Sequence, residues 1–278
     1  MYYNFGINKI LEIIKIISGT EKQQFSLDDQ EVLQKYNTYL EKNSVFDTPI
    51  TWGDIKIIDL NELKTIALDF YTNKHKFFKE NSPIVQQKIQ SGSFHTALSE
   101  LRLDNIKLYN LSKFIIRTIL INQLREYTNG TTVETIGLAN FDFKDNFNNE
   151  DFKELLVHQL THMILFLDNA NNKHVIDNCE ETMLEVGLRY KLGGTMFPAY
   201  ICFHSYLVAV EVLSHRRHLN NIDIATNCHG STMRILTMSN HFGSAINNNL
   251  NLFTDYGRTI IAKGMSIISE ITKEFNLQ

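Results

Sequence analysis

The sequence has little of what usually interrupts or cross-links a chain. Three prolines in 278 residues leave long segments unbroken, which favours helices. Its three cysteines, Cys179, Cys202 and Cys228, cannot all pair within the chain, and none stands in a Cys-x-x-Cys spacing. They read as reduced thiols, the pattern of a cytoplasmic protein. Positive charge is not in excess: 27 Lys+Arg face 31 Asp+Glu, a formal net charge of -4. No broadly basic surface follows from that balance, so nucleic acid is not an expected partner. Long apolar runs are missing too. Residues 1–18 are rich in Ile and Leu, but Lys9, Glu12 and Lys15 interrupt them. The expectation is an amphipathic helix rather than a signal peptide or a membrane span.

What is present is an ordinary globular composition, 43% hydrophobic and 21% charged. Spacings of three and four between apolar residues predict helices over 1–18, 31–42 (with Ser26 as its cap), 59–80, 104–127, 199–219, 231–241 and 251–275. A shorter helix within 82–101 is broken at Ser91-Gly92-Ser93, and another short one is expected over 180–190. Strands are expected at Ile55 to Ile58, near the lone Trp52, and within Thr132 to Phe143, which is rich in β-branched and aromatic residues. The fold class is therefore mainly α with a small β component (α+β). One compact unit is expected, with residues 1–128 as an N-terminal helical region and 129–278 carrying the site.

That site centres on FKELLVHQLTHMILFLDN, Phe152 to Asn169. His158 and His162 stand four apart in a helical segment, so both imidazoles share one face and can grip one metal ion. The surrounding residues are apolar, and burying two unpaired imidazoles among them would be costly. A metal satisfies both rings; hydrogen bonds to carbonyls or carboxylates would be the plain structural alternative. A third ligand is needed, and two residues qualify. Glu181 follows His162 at a spacing that resembles gluzincin-type zinc peptidases, while His204 lies near the start of a later apolar helix.

Gln159 bears on the chemistry. In hydrolytic His-Glu-x-x-His sites the glutamate takes a proton from the metal-bound water. An amide cannot, and losing a general base costs ~10²- to 10⁴-fold in rate. Native or introduced by a Glu→Gln change, this glutamine makes a poor peptidase. A site with three protein ligands and open positions suits iron(II) and oxygen chemistry as well as zinc hydrolysis, the usual set being two histidines and one carboxylate.

The segments LLVHQLTHMILFLDN, GLRYKLGGTMFPAYICFHSYLVAV and LFTDYGRTII together resemble the His-Glu-x-x-His family of iron(II)- and 2-oxoglutarate-dependent peptide β-hydroxylases, which act on ribosomally made precursor peptides. The resemblance covers roughly the second half of the chain. It implies that His158, His162 and His204 hold Fe(II), and that Arg189 grips the 2-oxoglutarate carboxylate through two parallel hydrogen bonds. Gln159 departs from the family's usual glutamate. The implied partner is a precursor peptide, with neither nucleic acid nor membrane involved. The rival readings are a zinc peptidase or inactive relative built on His158, His162 and Glu181, and a metal-free helical binding protein. His215-Arg216-Arg217-His218 reads as a solvated helix end, cations being favourable near a helix C-terminus without any function.

Overall fold

The computed structural model describes residues 1–22, 24–44, 55–58, 78–79, 81–121, 123–124, 129–187 and 195–276. Among them the protein is mainly helical with small sheets, as expected. Packing divides the chain into two compact units: Leu11–Phe166 forms one, and Met1–Ile10 with Leu167–Gln278 forms the other. These boundaries do not coincide with the halves 1–128 and 129–278.

The N-terminal segment forms two helices, α1 (Tyr2–Phe5) and α2 (Ile7–Ser18), separated by Gly6 at φ 78. Only glycine adopts that left-handed turn without strain. In the Leu11–Phe166 unit, α3 (Gln30–Asn43) is capped by Asp29, not Ser26: the Asp29 carboxylate accepts from the Glu31 and Val32 amides. Strand β1 (Lys56–Ile58) appears where expected, whereas Phe78–Lys79 form a short strand β2 and not a helix end. The rest of that expected helix, and Trp52, lie outside the described residues. Helices α4 (Pro83–Gln90) and α5 (Ser93–Asp104) flank the anticipated break.

The helix expected over 104–127 is corrected. It stops early as α6 (Ile106–Ile115), and Thr118–Ile121 become strand β3. The run Ile115, Ile116, Thr118, Ile119, Ile121 is β-branched, and such side chains lose rotamer freedom in a helix but pack well in a sheet. Strand β3 lies parallel to β1 and to β6 (Leu138–Phe141), Thr118 facing Leu138; Gln123–Leu124 form β4, and Asn129–Gly130 form the antiparallel edge strand β5. Phe94 of α5, Phe141 of β6, Phe143 two residues beyond it and Phe152 at the start of α7 (Asn149–Asn169) pack ring against ring at 4.9–5.3 Å. That cluster anchors the helix carrying the histidine pair.

The other unit is built on α8 (Ala199–His218), buried along almost its whole length. Helices α9 (Thr232–Asn247) and α10 (Asp255–Asn276) pack against it. Hairpin β7 (Met183–Glu185) with β8 (Met196–Pro198) leads into α8, and hairpin β9 (Ala225–Thr226) with β10 (Gly230–Ser231) leads into α9. The short helix expected over 180–190 is therefore corrected: its described part is turn and strand. The Glu185 and Met183 side chains alternate with buried Leu184, a two-residue period that suits a strand.

Arg216 overturns the solvated helix end. It is 1% exposed and donates to the Ile224 and Gly230 carbonyls and to the Thr226 and Thr232 hydroxyls, pinning both strands of the hairpin before α9. His215 is buried as well, while Arg217 pairs with Glu270 and Glu274. No described helix is long and apolar enough to cross a membrane.

Candidate metal centre

Helix α7 begins with a reciprocal cap. The Asn148 Oδ1 accepts from the Glu150 and Asp151 amides, and Asp151 Oδ2 accepts from the Asn148 amide. Buried Lys153 then bridges Glu150 and Asp104, which ties the first turn to α5. From Asp151 to Asp168 every side chain is buried except three: His158, His162 and Phe166 are half-buried. They follow one another at four-residue steps, so the histidines occupy the one stripe of the helix that is partly open.

On that stripe the two Nε2 atoms stand 3.1 Å apart, with ring centroids at 4.9 Å. Two nitrogens bound to one ion at about 2.0–2.1 Å, with an angle between square and tetrahedral, are separated by about 2.8–3.4 Å. The pair thus fits neighbouring positions on one metal. Without an ion, the same distance is a hydrogen bond in which one Nε2–H donates to the other ring. Phe166 stacks beside His162 at 6.4 Å. Glu154, one turn before His158 on the same line, is a buried carboxylate.

Gln159 is fully buried, and neither Oε1 nor Nε2 has a hydrogen-bond partner among the described residues. An amide left so costs about 1–3 kcal/mol, so its retention here is unusual. Next to His158 in the chain, it has nothing that can take up a proton at neutral pH.

The remaining sequence-derived residues belong to the α8 unit. His204 on α8 is buried, and burial first, then the charge of neighbouring His174, pushes its pKa down to about 3. It is therefore neutral at physiological pH, the form a metal requires. Glu181 lies exposed in the turn before β7 and not on a helix, unlike the gluzincin arrangement that suggested it. Arg189 lies outside the described residues. None of the three cysteines forms a disulfide. Burial raises the Cys202 thiol to about 12, whereas Cys228 Sγ lies 3.1 Å from His229 Nδ1, a second pair of metal-ligating atoms.

One cluster has no signature in the sequence. The buried Asp168 carboxylate accepts from Tyr256 Oη at 2.9 Å and from Asn172 Nδ2 at 3.0 Å, and meets His174 Nε2 at 2.8 Å. The His174 ring stacks on Phe203 at 4.9 Å, next to His204 in the chain. Tyr256 is 88 residues from Asp168, and no local pattern announces such a pairing.

No protein-family model matches the sequence, and no curated protein matches it.

Proposed function

We propose that the chain is an iron(II)- and 2-oxoglutarate-dependent oxygenase that hydroxylates a β-carbon in a ribosomally made precursor peptide. The observation that supports this most is the His158–His162 pair, 3.1 Å apart on the half-open stripe of α7, with a buried amide in place of a base beside it. Such a pair suits Zn²⁺ and Fe²⁺ alike, but a hydrolytic zinc site needs the proton acceptor that Gln159 lacks. Bound iron with 2-oxoglutarate supplies the oxidising power: of the two atoms of O₂, one ends as the new hydroxyl and one in succinate, with loss of CO₂. The protein's part is to hold and orient. His158 and His162 would hold the ion through their Nε2 atoms, and the cap and phenylalanine cluster keep their helix in place. Among the described residues, no group of three close metal-ligating atoms includes His158 and His162.

Co-expression with a short precursor peptide encoded beside this chain's gene, followed by mass spectrometry, tests the reading. A gain of one oxygen that depends on added iron and 2-oxoglutarate, with matching succinate, is the expected result. Cleavage of the peptide, or iron-independent behaviour throughout, overturns it.

A further inference from the structure

Between β9 and β10 the chain turns through Asn227, Cys228 and His229, and Gly230 follows at φ 82, a backbone angle that suits glycine. The turn is fixed from behind. Arg216 Nη2 donates to Thr226 Oγ1 at 3.1 Å and to the Gly230 carbonyl at 2.9 Å, and the His229 amide donates to Thr226 Oγ1 at 3.3 Å. On this frame Cys228 Sγ stands 3.1 Å from His229 Nδ1. Both residues are half-buried, so the pair is held in place and still open to solvent.

An ion about 2.3 Å from the sulfur and about 2.0–2.1 Å from the nitrogen holds the two atoms about 3.1–3.6 Å apart, for angles between square and tetrahedral. The observed pair fits the short end of that range. Thr226 Oγ1 lies 3.5 Å from the sulfur and steadies it as an outer partner. One hydrogen bond further back, the Arg216 guanidinium places positive charge behind the sulfur, which favours the thiolate that a metal requires. The donor types select the ion. A thiolate with an imidazole suits zinc, whereas Mg²⁺ and Ca²⁺ take oxygen donors. Iron(II) stands low in the order of divalent affinities at such donors, so this is a zinc pair rather than a second iron pair.

We infer that Cys228 and His229 bind a thiophilic divalent cation, Zn²⁺ by their donor types, through Sγ and Nδ1, with the remaining positions open to water or a further ligand. The site uses neither His158 nor His162 and does not rest on the oxygenase reading. Co²⁺ added to the full chain is the probe, because a thiolate ligand gives it a strong charge-transfer band in the near ultraviolet that imidazole ligands do not. The parent shows that band, and Zn²⁺ bleaches it. Cys228→Ser abolishes the band, and His229→Ala weakens Co²⁺ binding by about tenfold or more. Cys179→Ser and His158→Ala keep it, so failure of the oxygenase reading leaves this one standing. A second measurement needs no variant: Zn²⁺ slows alkylation of Cys228 by iodoacetamide and leaves Cys179 unaffected, as read by peptide mass spectrometry. A missing band, equal alkylation of Cys228 with and without Zn²⁺, or a band that folded Cys228→Ser retains overturns the inference.

Discussion

The Nε2 atoms of His158 and His162 face each other at 3.1 Å on the half-open stripe of an otherwise buried helix. Removing either ring leaves one nitrogen, which cannot hold an ion in competition with water. In His158→Ala or His162→Ala, bound metal after reconstitution with iron(II) falls from about one ion per chain to below about a tenth. The parent also gains about 2.7 kcal/mol of stability at a metal concentration a hundredfold above its Kd, and the variants gain none. Elemental analysis and thermal unfolding with and without metal check both statements.

Gln159 carries two unpaired polar atoms in a buried place. An apolar residue of similar volume removes them, so Gln159→Leu in the metal-free protein is neutral or raises stability by about 1 kcal/mol. Urea unfolding at pH 7 measures it. A loss of several kcal/mol would mean that the amide has a partner essential to the fold.

His204 links burial to acid sensitivity. Its ordinary pKa is 6.5 and burial lowers it to about 3 in the folded protein. Between those values the unfolded chain binds a proton that the folded chain does not, so stability is fully present above pH 6.5 and falls as the pH drops. The contribution is up to about 1.4 kcal/mol per pH unit in that window. His204→Phe in the metal-free protein flattens the fall between pH 6.5 and 5, as read from urea midpoints at fixed ionic strength.

Arg216 satisfies two carbonyls and two hydroxyls at once. Arg216→Ala removes all four hydrogen bonds and the packing of a buried side chain, and lowers stability by about 3–5 kcal/mol. Arg217→Ala, one residue on but paired only with half-exposed Glu270 and Glu274, costs about 1 kcal/mol or less. Parallel unfolding curves of the two variants separate the buried role from the surface one.

Gly257 packs so closely on the His174 carbonyl oxygen that a Cβ there would overlap it. Gly257→Ala must push the loop before β7 away from α10, and so strains the Asp168–His174–Tyr256 cluster. A loss of about 2–3 kcal/mol is expected, with the Tyr256 side-chain resonances shifted.

Local sequence determined what depends on neighbours along the chain. The spacing of His158 and His162 and the apolar periods around them are enough to put both rings on one face of a helix, because 3.6 residues per turn leaves no alternative. The mainly helical class, the break between α4 and α5, and strands β1 and β6 were legible for the same reason. The end of α6 was not, although the β-branched run from Ile115 carried the signal: helical spacing and strand propensity coincide there, and pairing of β3 between β1 and β6 decides between them. Arg216 could not be read either, since a cation in a last helical turn is solvated or buried according to what the following hairpin offers it. Only the tertiary structure decided that, as it decided the Asp168–Tyr256 bond. Each is set by groups distant in sequence, and hydrogen bonding and burial depend on which groups the fold brings within about 3 Å.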